Sequence, residues 1–260
     1  MVLWSTGFIA AKLGLPDAPP FTFLAVRMAA VAALMTLVAL ATRARWPAAR
    51  DVHVVYLGGV FVAMADGVPA GTSAMIVGLQ PVVTVAIARV WLGERVVPRQ
   101  WLGLALGFAG VALVVRHKLG YSGDVTGLGP LLLALLGISV GTLYQKRHAS
   151  HVDLRTGAAV QYATCALVLA PLALLEPEAI RWTGSFVFAL SWSVLVLSVG
   201  AISLLWVLLR HGAAANVAAL FYLVPPVTAL MAWLLFGETL DAYALSGMAL
   251  IAVGVALARN

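Results

Sequence analysis

The sequence predicts an all-α, polytopic membrane protein of ten transmembrane helices in two inverted-topology five-helix repeats. Three observations predict it: an apolar composition, a succession of ten apolar segments, and a passage that recurs 144 residues later. The chain of 260 residues is 63% hydrophobic and 10% charged, whereas soluble domains carry about 25% charged residues. Most of the segments run 17 to 25 residues, and about 20 apolar residues cross a bilayer as a helix. A membrane β-barrel would alternate apolar and polar residues in stretches of about ten, and that pattern is absent.

Each segment is delimited by Gly, Pro or charge. The first two span Val2–Leu15, before Pro16-Asp17, and Phe21–Ala41, between Pro20 and Arg43. The third, Val52–Ala65, ends at Asp66, and the fourth, Ala70–Leu92, ends at Gly93-Glu94. Gln100–Val115 lies between Arg99 and Arg116, and Gly127–Tyr144 runs to Lys146-Arg147. Thr156–Leu175 follows Arg155, Ser185–Leu209 stops at Arg210, Ala213–Phe236 stops at Gly237-Glu238, and Ala242–Ala258 precedes Arg259. The first segment lacks the basic flank and small-residue cleavage site of a signal peptide. Cys165 is a single cysteine in an apolar segment, so it forms no intramolecular disulfide and reads as a small buried thiol.

The net charge of +6 does not mark a nucleic-acid surface, because of its distribution. With the N-terminus inside, the inner loops hold Arg43, Arg45, Arg50, Arg89, Arg95, Arg99, Lys146, Arg147, Arg155, Arg210 and Arg259. The outer set holds Arg116, Lys118 and Arg181, with Lys12 and Arg27 near outer helix ends. That asymmetry predicts N-in/C-in topology by the positive-inside rule. The expected partners are the lipid bilayer and a small-molecule substrate, with no nucleic acid, and no feature selects an oligomeric state.

A shift of 144 aligns Ala70–Leu113 with Ala214–Leu257, with 16 of 44 positions identical. They include Pro81 with Pro225, Thr84 with Thr228, Gly93-Glu94 with Gly237-Glu238, and Gly103 and Gly110 with Gly247 and Gly254. Biased composition alone would match roughly one position in ten. A shift of 134 sets Ser5, Gly7 and Lys12 on Ser139, Gly141 and Lys146, and Arg27 on Gln161. Each half is therefore a five-helix unit. Because five is odd, the second copy enters the membrane from the opposite side, an architecture recurrent in secondary transporters. The third segment has only 14 residues against 25 in its twin, roughly 21 Å of helix against a core of about 30 Å. The first segment is also short.

Candidate pathway residues follow from charge and helix breaks at membrane depth. Intramembrane charge is costly in lipid and marks function. Arg27 and Lys12 could attract a substrate carboxylate or snorkel to the outer interface. Pro81 and Pro225-Pro226 remove backbone donors at matching positions, and freed carbonyls are tolerated where they line a cavity. Gln80, Thr84, Tyr222 and Thr228 surround these breaks, and Gln161 is the neutral twin of Arg27. Trp4 fits an aromatic wall or an interface anchor. The twins Ser5 and Ser139 fit a pathway lining or close helix packing. Gly103-x-x-x-Gly107, Gly110, Gly247 and Gly254 read as packing faces. Gly93 and Gly237 suit helix C-terminal turns. The segments hold no deep acidic residue for a proton relay, and no nucleotide loop, zinc motif or nucleophile elbow. Neither an enzyme activity nor a metal or other cofactor is expected.

The stretches WSTGFIAAK (Trp4–Lys12), PPFTFLAVR (Pro19–Arg27) and PAGTSAMIVGLQPVVT (Pro69–Thr84), the Leu92–Glu94 LGE and the second copy over Tyr222–Leu257 resemble the drug/metabolite transporter superfamily, in its EamA-like branch. The resemblance implies two EamA-like repeats, at 1–116 and 126–259. It also implies an inner-membrane carrier, commonly an exporter, of small polar metabolites or amino acids. The short first and third helices depart from the family pattern. They leave, as alternatives, a membrane-embedded structural or receptor subunit and a transport-incompetent truncated homologue.

Overall fold

A computed structural model of the chain describes residues 1–47, 70–115, 128–148, 151–237 and 239–258. Among them every regular element is helical. The helices are α1 (Val2–Gly14), α2 (Pro20–Ala41), α3 (Ala70–Trp91), α4 (Pro98–Val115), α5 (Leu128–His148), α6 (Leu154–Leu174), α7 (Gly184–His211), α8 (Ala214–Phe236) and α9 (Ala242–Ala258). The third apolar segment, expected at Val52–Ala65, lies outside the described residues. Among those described, α2, α6, α7 and α8 are long and apolar enough to cross a membrane, and α9 is a shorter apolar helix. Their flanks carry exposed apolar side chains such as Leu167 (73%) and Leu234 (70%), a surface suited to lipid and not to water.

Local chemistry sets the helix ends. Pro20 opens α2, where its missing N–H and fixed φ cost nothing. Asp153 accepts from the Arg155 N–H to cap α6, and Thr183 accepts from the Phe186 N–H to cap α7. Gly93 and Gly237 both take φ +67° at the ends of α3 and α8, the left-handed geometry that favours glycine. A Cβ at either would meet nothing within 4 Å, so backbone conformation alone selects glycine there. α5 extends through Lys146, Arg147 and His148; the lysine and arginine complement the negative helix C-terminus.

Two helices depart from regular geometry. α8 tightens to a 3-10 turn over Leu220–Leu223, just before Pro225 and Pro226, where adjacent prolines remove two donors. Pro81, by contrast, sits inside a helix that continues through it. A single lost donor does not break α3, so the matching break expected there does not form. α7 widens to a π-helix over Ser193–Ala201, which an unbroken apolar run does not announce.

The packing brings the two halves together helix by helix. α2 packs on α6, α4 on α9, α3 on both α5 and α8, and α1 on α7 and α8. The α4–α9 contact is the tightest, because glycines let the backbones touch. A Cβ on Gly103 would lie 2.5 Å from the Gly254 carbonyl, one on Gly254 would lie 2.6 Å from the Gly107 nitrogen, and one on Gly110 would lie 2.7 Å from the Gly247 carbonyl. The clash is with backbone, which cannot turn aside. Gly254→Val should therefore destabilise by about 2 kcal/mol or more, read as a lower melting temperature in detergent. Gly184→Ala, whose Cβ meets open space, should stay within about 0.5 kcal/mol of the parent.

Candidate functional site

Eight of the ten sequence-selected residues lie on α1, α3, α5 and α8, which pack around one another. Ser5 is fully buried and its hydroxyl donates to the Val224 carbonyl at 3.3 Å. Trp4 meets Phe221 edge-to-face at 5.1 Å. Thr84 donates to Ser139 at 3.3 Å, and both are buried with Gln80. Tyr222 turns away from this group: its hydroxyl donates to the Leu104 carbonyl at 2.8 Å, and its ring fills the space opposite Gly107. Val224 stands one turn before Thr228, so Ser5 bonds the carbonyl that a helical threonine would use itself. The Thr228 hydroxyl is buried with no partner among the described residues. Its twin Thr84 is satisfied by Ser139, so the two related crossings differ by one unpaired hydroxyl.

Arg27 and Gln161 stand apart, on α2 and α6. The Arg27 Nε donates to the Ser198 hydroxyl at 3.1 Å, and the Tyr162 hydroxyl donates to the Ser198 carbonyl at 3.1 Å. Ser198 belongs to the π stretch of α7, whose wider turn shifts side-chain register and frees carbonyls. Lys12 lies at the end of α1, with its Nζ 4.0 Å from the centre of the Phe236 ring. Gln161 lines a cavity with Gln145 and Arg210. Sequence reading did not select Arg210, Gln145 or Ser198; Arg210 was legible only as the charge that stops the eighth segment.

At the end of the bundle where α3 finishes and α8 begins, Glu94 ties four elements. Its Oε1 accepts from the Ala214 N–H at 2.8 Å and from Lys146 Nζ at 2.9 Å, and its Oε2 accepts from the Ala215 N–H at 3.1 Å. Lys146 also donates to the Gly212 carbonyl at 2.8 Å. Burial alone would raise the Glu94 pKa. The hydrogen bonds from Lys146, Ala214 and Ala215 outweigh that and hold the carboxyl below its ordinary 4.5. At the opposite end Glu176 accepts from the Phe21 N–H at 3.0 Å and the Thr22 N–H at 2.7 Å, capping α2. Beside it Asp17 pairs with Arg181 at 2.9 Å and accepts from Thr183 and Ser185. The bundle thus carries one carboxylate clasp at each end, and each joins the first half of the chain to the second.

Comparison with known proteins shows the family. The profile of the EamA-like transporter family matches residues 1–116 and 125–259. The chain belongs to the EamA-like transporter family. An uncharacterized transporter of Bacillus subtilis, YvbV, is 28% identical over 100% of this chain and 89% of its own length. The uncharacterized inner membrane transporter YedA of Escherichia coli is 24% identical over 92% of this chain and 81% of its own. A probable terminal-alkyne amino-acid exporter of Streptantibioticus cattleyicolor is 27% identical over 99% and 90%. A solved crystal structure covers 98% of this chain and 94% of its own at 23% identity, with a TM-score of 0.81; at that identity the likeness carries the fold alone.

In this transporter the Glu94 clasp makes a checkable contribution to stability. The carboxyl's pKa is lowered on folding, so its stabilisation is complete above the ordinary value of 4.5 and is lost as pH falls through the folded value. Glu94→Gln should lower stability near neutral pH by about 2 kcal/mol, through a weakened cap and a broken partly buried pair. Melting temperatures followed downward from pH 7 should converge for parent and variant at acid pH. A constant gap would mean that the charge is not what holds the clasp.

Proposed function

We propose that the protein is a secondary carrier that moves small polar metabolites or amino acids outward across a bacterial cytoplasmic (inner) membrane by alternating access. One observation carries the mechanism: the helix pairing survives exchange of the halves. Under the repeat, α1, α2, α3 and α4 correspond to α5, α6, α8 and α9. The pairs α2·α6, α4·α9 and α3·α8 then map onto themselves, and α3·α5 maps onto α8·α1. Such exchange is what an inverted five-helix repeat requires, and it supports the ten-helix architecture. The two clasps add to the reading, since each end opens only when its own clasp parts. The efflux named for the S. cattleyicolor relative supports the outward direction.

The substrate path in this reading is lined by Trp4, Ser5, Gln80, Thr84, Ser139, Tyr222 and Thr228, with Lys12, Arg27 and Gln161 at its margins. The unpaired Thr228 hydroxyl is the group a polar substrate would satisfy. Counterflow of labelled amino acids in proteoliposomes tests the function. Accumulation should require preloaded unlabelled substrate, and protein that binds lipid but exchanges nothing would favour a non-transporting subunit. Arg27→Gln copies the twin Gln161 and should preserve folding while lowering exchange of a carboxylate substrate about tenfold, the strength of a charge-assisted bond. Unchanged exchange would make Arg27 an interface anchor.

The arginine- and lysine-rich loops give N-in/C-in topology in this reading. A reporter active only in the cytoplasm and fused after Asn260 should be active. Activity of a periplasmic reporter at the same position would reverse the orientation.

A further inference from the structure

At the end of the bundle held by Glu94, a small cavity, open on one side, lies between the last turn of α5, the start of α6 and the last turns of α7. Gln145, Asp153, Gly157, Gln161, Trp206 and Arg210 line it. We propose that this cavity is a binding site for the carboxylate of a small organic molecule, with the Arg210 guanidinium as its anion ligand. The proposal rests on the carrier reading and makes the cavity the loading site at the cytoplasmic face.

The first argument is charge. Arg210 donates one Nη to the Val152 carbonyl, and its Nε is buried with no partner among the described residues. Asp153 is the carboxylate that lines the cavity, and its charge is already matched. Arg155 reaches Asp153 Oδ1 with Nε at 3.0 Å and Oδ2 with Nη2 at 2.7 Å, and the Arg155 N–H adds a third bond at 2.9 Å. Among the described residues, Arg155 and Arg210 share the one carboxylate Asp153, which leaves a single positive charge in excess beside the cavity. Arg210 is half-buried, but a charged N–H donor enclosed without an acceptor, as its Nε is, costs stability unless an acceptor joins it. Simple snorkelling does not describe this geometry, because a snorkelling arginine puts its head into water or head groups, whereas this Nε is enclosed by protein.

The second argument is the lining. Gln145 is 3% exposed and Gln161 is 7% exposed. Each amide brings two N–H donors and one acceptor to a space that apolar side chains would otherwise fill. Trp206 adds an aromatic wall, and Gly157 keeps the first turns of α6 open where a side chain would intrude. A few convergent polar groups in an otherwise apolar concavity are the composition of a small-molecule site. One uncompensated charge suits a monoanionic carboxylate, and Arg matches the planar carboxylate with parallel donors.

The third argument is the repeat. Gln161 occupies the position that Arg27 holds in the first half. The second half has not lost its cation: it has moved from α6 to Arg210 on α7, where both residues line one cavity. Each half therefore offers one arginine, with Arg27 toward one end of the bundle and Arg210 at the other. A carrier that releases a carboxylate on one side has use for an anion ligand on both.

Thermal unfolding of the purified full chain in detergent tests the site. The probes are L-leucine, L-serine and L-phenylalanine, with 4-methylpentanoate (carboxylate without ammonium) and L-leucinamide (ammonium without carboxylate). At least one amino acid and 4-methylpentanoate should raise the melting temperature, and L-leucinamide should not. Arg210→Gln should raise the half-saturating concentration by roughly tenfold or more, Arg210→Lys by less, and Gln161→Leu should weaken the response without touching the charge. If Arg210→Gln does not fold, the other two variants carry the test with the same expected order. An unchanged half-saturating concentration in Arg210→Gln or, failing that, in both other variants overturns the site. A response to L-leucinamide equal to that to L-leucine also overturns it, as does stabilisation by phosphatidylglycerol with no response to any carboxylate. Counterflow of the same amino acids by the parent separates the two readings. Exchange that persists in Arg210→Gln at parental half-saturation removes the site and keeps the carrier, whereas parent protein that exchanges nothing removes the carrier.

Discussion

A helix that begins inside a protein leaves backbone N–H groups which nothing in that helix can satisfy. In a membrane bundle, where water is scarce, the shortfall is severe. Here the solution comes from far away in sequence. Glu94 supplies both carboxylate oxygens to the first turn of α8, and Glu176 supplies both of its own to the first turn of α2. Each anion also lies on the positive end of a helix dipole. These two caps fix where α2 and α8 start, and thereby the level at which their polar residues face the bundle interior. Because each cap crosses between halves, the requirement of helix satisfaction also ties the first half of the chain to the second.

The rest of the packing divides into rigid and yielding parts. Along α4 and α9, glycines set backbone against backbone, as at Gly254 on Gly103 and Gly107, with Ile251 wedged against Gly110. Such a contact moves as a block. Around α1, α3, α5 and α8 the crossings are polar and sparse: one hydroxyl pair between Thr84 and Ser139, and one hydroxyl-to-carbonyl bond from Ser5. α8 is already bent at its 3-10 turn, and α7 already widened by its π stretch. Hinges are made from elements whose hydrogen bonding is incomplete, and these two helices sit next to the polar residues.

Hydropathy made the helices legible because lipid and protein both demand apolar side chains in runs of fixed length. The repeat was legible because it carries rare residues in order, such as Gly93-Glu94 with Gly237-Glu238. The helix ends at Gly93 and Gly237 followed from glycine chemistry. The π stretch of α7 was not legible, since Ser193–Ala201 offers only two serines in an otherwise apolar run, too few for sequence periodicity to report turn width. The continuity of α3 through Pro81 was not legible either, because whether one lost donor breaks a helix depends on its neighbours. Among candidate residues, Thr84 and Ser139 were found by their twins and do meet. Arg210 was passed over because it ends an apolar segment and reads as a loop charge; the 144-residue shift sets it on Asp66, and a comparison that looks for likeness discards a residue that has changed sign.

The proposed role of Arg210 bears on the asymmetry between Arg27 and Gln161. Two mirrored halves built only for packing would keep similar residues at equivalent places, and Arg27 against Gln161 breaks that rule. Counting residues makes the second half look neutral. Counting charges in space does not, since Gln161 and Arg210 share one cavity. The Arg27 guanidinium is met by a neutral hydroxyl of Ser198, and that of Arg210 by a neutral carbonyl of Val152. In both cases the bond satisfies a donor but brings no counter-charge with it. A pair of half-satisfied cations, one per repeat, is a poor device for stability in a low-dielectric medium, and a fitting one for an anion that must be held loosely and passed on.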